Sequence, residues 1–84
     1  MARWGASDAT VVDFSYGGLR LETTDPLDAG RVEAVALPAA GLVVHARSVW
    51  STRMESGKAW SGIEIDDHDP EVLDAWCRFV DRKN

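Results

Sequence analysis

The chain has 84 residues, enough for one small domain, and its 45% hydrophobic and 27% charged composition is typical of a globular protein. Its net charge of −5 argues against general nucleic-acid binding, because phosphates are bound by basic surfaces. No apolar run approaches the roughly 18 residues of a membrane span, and no hydrophobic segment of signal-peptide type follows Met1. A single cysteine, Cys77, excludes an intrachain disulfide and fits a reducing cytoplasm, which is the expected location.

Residues 1–8 are predicted to form a loose N-terminal arm, because terminal residues are commonly poorly ordered unless something ties them down. Arg3 and Trp4 are its only side chains of consequence. An arm that folds over a ligand or a partner is the functional alternative. Residues 9–84 are expected to form the folded domain.

Five segments with β-branched or alternating residues predict strands over residues 9–14, 18–23, 31–37, 42–50 and 59–65. In the first strand, Val12 and Phe14 are expected on one face and Asp13 on the other. In the second, Leu19 and Leu21 are expected to point inward. The apolar positions of the fourth strand change phase at Val49, which indicates a β-bulge.

The last predicted element is a helix that begins after Asp69, a good N-cap, with Pro70 at its first position. Its apolar face is formed by residues at three- and four-residue spacing: Val72, Leu73, Trp76, Phe79 and Val80. Short strands followed by one helix predict a mainly β fold. The expected architecture is a small antiparallel barrel of five to six strands with one C-terminal α-helix.

A polar hexapeptide at residues 13–18 separates the first two predicted strands. Asp13 and Ser15 are residue types that bond neighbouring backbone groups and bend the chain. Gly17 and Gly18 can adopt positive φ and allow another molecule to approach the backbone. The sequence therefore predicts a structured turn that is available to a ligand.

This hexapeptide resembles the D/N-x-S-x-x-G motif of PilZ domains, with Asp13, Ser15 and Gly18 at the defining positions. Further landmarks follow in the same order over roughly residues 9–80, and they are Gly18-Leu19-Arg20-Leu21, Gly30-Arg31-Val32-Glu33, Val49-Trp50 and Gly62-Ile63-Glu64-Ile65. The resemblance implies a six-stranded barrel with a C-terminal helix. It also implies a role in signalling by cyclic di-GMP, the second messenger that the family binds.

The resemblance assigns roles to the motif residues. Asp13 would accept hydrogen bonds from the donor edge of guanine, Ser15 would donate or accept, and Gly18 would let backbone amides approach the ligand. The family has a strand ahead of the one that carries the motif, whereas only twelve residues precede Asp13. Either the arm forms a short substitute or the barrel has an open edge. An open edge invites pairing between chains, so a homo-oligomer is expected.

The family also carries an Arg-x-x-x-Arg element upstream of the motif, and this chain has only Arg3 there. Each charge-assisted hydrogen bond contributes about 1.5–3 kcal/mol, so losing two removes about 3–6 kcal/mol. A site of about 1 μM affinity would then bind in the range of roughly 0.1–10 mM. Weak or absent cyclic di-GMP binding is therefore expected, unless the missing cations come from Arg3, Arg20, a second subunit or a preceding segment of a longer protein.

Two functional hypotheses follow from these residues. The first is an adaptor that binds a regulatory protein of a motility, pilus or biofilm system. The second is a genuine cyclic di-GMP receptor that uses Asp13, Ser15 and Gly18 with arginines from the arm or a neighbouring subunit. No enzymatic activity and no cofactor are expected, because no oxyanion element accompanies Ser15 and His45.

Three further features of the sequence have alternative interpretations. The run at residues 66–69, Asp-Asp-His-Asp, is expected to be a solvated loop that ends in the helix cap, rather than a metal site. Trp50 and Trp60 are expected either to pair across neighbouring strands or to form an exposed patch for a partner. Tyr16 is expected to contact a ligand or a partner.

Overall fold

The computed structural model describes residues 1–83, which form six β-strands and one α-helix. The strands are β1 (Ala2–Trp4), β2 (Ser7–Ser15), β3 (Gly18–Thr23), β4 (Val32–Leu37), β5 (Leu42–Arg53) and β6 (Ala59–Ile65). A single 3-10 turn, Pro38–Ala40, joins β4 to β5, and helix α1 spans Pro70–Lys83. In this part of the chain, no helix has the length and apolar character needed to cross a membrane.

The strands form a closed antiparallel barrel in the order β1-β2-β3-β6-β5-β4. The predicted small β-barrel with one C-terminal helix is thus confirmed. The five strands read from the sequence correspond to β2–β6, and the sixth lies in the predicted arm. In β3, Leu19 and Leu21 point inward as expected, with 5% and 0% of their surfaces exposed.

The prediction of a loose arm at residues 1–8 is wrong. Ala2–Trp4 forms β1, which pairs with the start of β2 on one side and with β4 on the other. Ala2 and Trp4 alternate with exposed Arg3 and point into the core, so burial of the indole ties the segment down. This short strand closes the barrel. The open edge that predicted a homo-oligomer therefore does not form among the described strands, and the physical argument for self-association is lost.

Helix α1 begins as the sequence predicts and covers part of the core. Asp69 caps it, because its carboxylate accepts a hydrogen bond from the backbone N–H of Glu71 at 2.9 Å. Trp76 is fully buried at 1% exposure, and its ring lies 5.5 Å from Phe79 and 6.5 Å from Phe14. Burial of such rings stabilises the fold by roughly 1.5–3 kcal/mol each, so this aromatic cluster fixes the helix against the barrel.

Candidate functional site

A β-bulge in β2 turns Asp13 to the outer face of the barrel. The register changes from Val11 opposite Leu21 to Asp13 opposite Arg20, which leaves Val12 as the extra residue. Val11 and Phe14 both pack against the core, and Asp13 is exposed. The expectation that Val12 and Phe14 share a face is therefore wrong. Since residues alternate between faces in a regular strand, Asp13 would point inward without the bulge.

A second bulge, in β5, turns Trp50 outward. Here the predicted phase change is confirmed, because the register moves from Ser48 opposite Ile63 to Trp50 opposite Gly62 and skips Val49. Ser48 is fully buried, whereas Val49 and Trp50 are 49% and 42% exposed. Val49 is thus the inserted residue itself and does not continue the inward face. The bulge places two apolar side chains on the surface beside the motif.

The indole of Trp50 lies flat on Gly62. A Cβ added to Gly62 would be 2.1 Å from the Trp50 Nε1 atom, so only glycine leaves room for the ring. The ring therefore has one face packed against the backbone of β6. Its remaining surface borders an open groove.

The two bulges and the motif turn surround this groove, which has a volume of about 500 Å³. We call it the motif groove, and its lining residues are Asp13, Phe14, Ser15, Gly17, Gly18, Leu19, Arg20, Val49, Trp50, Gly62, Ile63 and Glu64. The structure thus brings together four of the five residues that the sequence predicts for the site. The motif groove is the candidate functional site.

Arg20 holds the carboxylate of Asp13. The guanidinium donates from Nε to Asp13 Oδ1 at 2.8 Å and from a terminal nitrogen to Oδ2 in a bidentate contact. The hydrogen bonds from Arg20 lower the pKa of Asp13 below its usual value, against the opposing effect of desolvation. They raise the pKa of Arg20 in turn. Both acceptor oxygens of the motif aspartate are therefore engaged within the chain.

Arg20 also lies over an aromatic ring. Its Cζ is 5.5 Å from the Trp60 ring, and the Trp60 indole N–H donates to Glu22 at 2.9 Å. The predicted pairing of Trp50 with Trp60 does not occur in register, because Trp60 lies opposite Thr52. Trp60 instead supports the motif arginine through a cation–π contact.

Gly18 and Ser15 occupy the end of the β2–β3 hairpin. A Cβ at Gly18 would lie 2.0 Å from the backbone oxygen of Ile63, so glycine is needed there for the close approach of β6. This packing accounts for Gly18 without any ligand. Ser15 is exposed directly opposite Gly18 in the register, and it lines the motif groove.

Arg3 lies away from the motif groove. It is opposite Asp8 in the β1–β2 pair, donates to the Ala6 carbonyl at 2.7 Å and is 3.6 Å from the Asp8 carboxylate. Asp13 lies five positions after Asp8 in β2, which corresponds to roughly 15 Å of strand. The candidate role of Arg3 at the motif therefore has no geometric basis in this chain.

The acidic run at residues 66–69 connects β6 to the helix. Asp67 accepts hydrogen bonds from the backbone N–H groups of His45 and Asp69, and these lower its pKa. Asp66 is paired with Arg47 at 2.6 Å. Within residues 1–83, no group of three or more His, Cys, Asp or Glu side chains is placed to hold a metal ion. These carboxylates position backbone and neighbouring strands.

Two polar or backbone features of the groove, Gly62 and Glu64, were not predicted as site residues, and Trp50 was considered only together with Trp60 as an exposed patch for a partner. A glycine inside a strand is a recognised sign that another group approaches the backbone, and Gly62 carried that signal. The direction of Trp50 depends on the bulge and could not be read from its neighbours. Comparisons of the chain with models of protein families, with curated proteins and with solved structures find no match.

Proposed function

We propose that the chain is a PilZ-like regulatory module of cyclic di-GMP signalling that acts mainly by binding a protein partner in the cytoplasm. The partner would belong to a motility, pilus or biofilm system. The module binds cyclic di-GMP weakly or not at all and has no catalytic activity. The single observation that carries the proposal is the bidentate contact between Arg20 and Asp13.

This contact disfavours the dinucleotide in two ways. To accept hydrogen bonds from guanine, Asp13 would first have to release a charge-assisted partner. Arg20 is also the only cationic side chain among the described residues that line the motif groove. Cyclic di-GMP carries two phosphates, and a single paired arginine leaves most of that charge uncompensated.

The apolar part of the motif groove favours a protein. Val49 and Trp50 expose about half of their surfaces beside the motif turn. Tryptophan is enriched among the residues that contribute most to binding at protein interfaces. The Trp50 ring already packs against Gly62, so less side-chain entropy is lost when a partner covers it than for a side chain that makes no contact.

Titration calorimetry with cyclic di-GMP tests the ligand half of the proposal. We expect no saturable heat below roughly 100 μM ligand, following the weakened affinity estimated for a site without its arginine pair. Micromolar binding that Asp13→Ala abolishes, in a variant that remains folded, would contradict the proposal. It would establish the chain as a receptor.

Site-specific photo-cross-linking in the source cells tests the partner half. A photoreactive residue is placed at Val49, and the matched control is Val43, which lies on the same strand with 54% exposure and outside the motif groove. We expect a cross-linked adduct from position 49 only, and we expect it to contain a protein of a motility, pilus or biofilm apparatus. The adduct should be lost in the Trp50→Ala variant. Equal labelling from both positions would argue against the groove as the contact face.

The alternative function is a genuine cyclic di-GMP receptor. It is favoured by the fact that Asp13, Ser15, Gly18 and Arg20 line one groove. This function requires additional cations from a second subunit or from another segment. The same calorimetry decides it, with the Asp13→Ala variant as the test of site.

A further inference from the structure

The chain contains its own example of how this surface binds a guanidinium group. Arg20 lies between a carboxylate and an indole, with Nε 2.8 Å from Asp13 Oδ1 and Cζ 5.5 Å from the Trp60 ring. The carboxylate supplies hydrogen-bond acceptors and negative charge, and the indole supplies the π face. Asp13 lies on β2 and Trp60 on β6, the two strands that pair with β3, which carries Arg20. All three side chains lie on the outer face of the barrel.

The same two groups recur on the other side of Gly62. Trp50 lies opposite Gly62 in the β5–β6 register, and Glu64 follows Gly62 by two residues, on the same outer face of β6. Both side chains line the motif groove. This second combination of indole and carboxylate holds no cation from the described residues.

Glu64 is exposed and has no ion-pair or hydrogen-bond partner for its carboxylate within residues 1–83. Its cross-strand neighbour Arg47 is directed elsewhere, because it donates to Asp66 at 2.6 Å. The negative charge at the groove is therefore not neutralised locally. Because the charges of Asp13 and Arg20 cancel, the carboxylate of Glu64 makes the motif groove negative.

We propose that Trp50 and Glu64 form the recognition site for an arginine side chain of the partner protein. This inference rests on the proposed function and names the chemistry by which the partner is recognised. The guanidinium stacks on the open part of the Trp50 ring while Glu64 accepts its hydrogen bonds. Arginine fits better than lysine, because its planar group can stack and bond at the same time.

Two properties of the chain support this choice of occupant. Its net charge of −5 attracts a basic segment, and this attraction weakens as salt is added. Gly62 provides the space in which the Trp50 ring packs against β6 before binding, because a side chain at this position would collide with the indole. The site is thus both complementary in charge and formed in the absence of a partner.

The probe is a synthetic peptide, acetyl-Gly-Arg-Gly-Arg-Gly-amide, titrated into the ¹⁵N-labelled full chain. The indole N–H signal of Trp50 is assigned from its disappearance in Trp50→Phe. We expect this signal to shift saturably with the arginine peptide, and the shift to shrink in high salt. The matched peptide carries citrulline, which has nearly the same shape as arginine without the charge, and it is expected to cause no saturable shift.

Variants of the chain separate this site from general charge attraction. Glu64→Gln is expected to weaken binding about two- to fivefold, as an exposed ion pair would predict. Trp50→Ala is expected to weaken binding of the arginine peptide by a similar factor. Because this variant lacks the indole signal, its binding is measured from the shift of the Gly62 backbone signal. Glu55→Gln removes an exposed glutamate outside the motif groove and is expected to bind like the unmodified chain.

Two results would overturn the inference: an equal response to the citrulline peptide, or unchanged binding in Glu64→Gln. Failure of the proposed function is detected separately. Micromolar cyclic di-GMP binding would overturn the adaptor proposal and leave the peptide result standing. A partner cross-linked at position 49, together with an unresponsive Trp50 signal, would keep the adaptor and remove only the arginine site.

Discussion

The phenol of Tyr16 donates a hydrogen bond to the carboxylate of Asp81, which joins the motif turn to the last turns of helix α1. The backbone of Tyr16 makes a second connection, because its carbonyl accepts a hydrogen bond from the Trp76 indole at 2.9 Å. Tyr16 was expected to contact a ligand or a partner. Its bonds connect the turn to the helix, and the expected contact with a ligand or a partner stays a prediction for a residue that is 56% exposed.

Titration of Tyr16 tests this connection directly, because it is the only tyrosine in the chain. The hydrogen bond to Asp81 raises the pKa of the phenol above its ordinary value of 10.0. The stability that Tyr16 contributes is therefore present below pH 10 and lost as the pH rises through the higher folded pKa. Ultraviolet difference spectra should show the raised pKa in the unmodified chain and a return toward 10.0 in Asp81→Asn. An identical titration in both proteins would exclude the bond.

The two motif glycines are expected to respond differently to substitution. Gly18→Ala would place a methyl group 2.0 Å from the Ile63 backbone oxygen, so we expect a loss of at least about 1–3 kcal/mol of stability. Gly17→Ala meets no atom within 4 Å, and Gly17 does not have a positive φ, so its effect should stay within about 0.5 kcal/mol. Urea denaturation compares the two. Equal stabilities would contradict the close approach of β6.

The pair of Asp13 and Arg20 predicts a specific pH dependence. Because Arg20 lowers the pKa of Asp13, the associated stability is present above the ordinary pKa of 3.8 and is lost as the pH falls through the lower folded value. Carbon-detected NMR titration should show a low pKa for Asp13 that returns toward 3.8 in Arg20→Gln. Arg53→Gln is the control, because that exposed arginine lies near Asp25 and not near Asp13. A shift caused by the control would refute the local origin.

Trp76 and Trp50 offer a matched comparison of a core and a surface indole. Trp76→Phe replaces a fully buried indole and leaves the partly buried Tyr16 carbonyl without its donor, and we expect a loss of about 1–3 kcal/mol. Trp50→Phe affects a ring that is 42% exposed and should cost about 0.5 kcal/mol or less. Urea unfolding followed by circular dichroism measures both. The reverse order would contradict the placement of the two rings.

The closed barrel predicts that self-association is not required for folding. With β1 paired on both sides, none of the described strands has an unpaired edge to extend into a second chain. Light scattering at micromolar concentration should therefore give the mass of one chain. A dimer that dissociates in Trp50→Glu would contradict this expectation and identify the exposed indole as a self-contact.

Regular alternation and helix capping made much of the fold predictable. Leu19 and Leu21 alternate with polar residues, and Asp69-Pro70 marks the helix start, so both elements were read correctly from local sequence. The strand β1 was missed because three residues are too short to show a period. Its pairing with β2 and β4 and the burial of Trp4 identify it, and these are features of the tertiary structure.

The candidate site was predictable only in part. The sequence identifies the motif residues and assigns them to a ligand, whereas Asp13 and Gly18 make close contacts within the chain. The pairing of Asp13 with Arg20 depends on the bulge at Val12. Because Val11 and Val12 are both apolar, the sequence does not show which of them points into the core. The indole of Trp50 fits because Gly62, on the neighbouring strand β6, has no side chain. The sequence of one strand alone does not show a contact between two strands.

Each of two strands carries one extra residue, Val12 or Val49, and a bulge accommodates it so that Asp13 and Trp50 lie on the outer face. Deleting Val49 would restore strict alternation and leave Trp50 opposite Gly62 on the outer face, because the residue that follows inward-facing Ser48 points outward. Each bulge therefore absorbs an additional residue without reversing the faces of the residues beyond it. A lineage of such barrels can thus gain or lose an exposed side chain beside the groove through single-residue indels, without redesigning its hydrophobic interior.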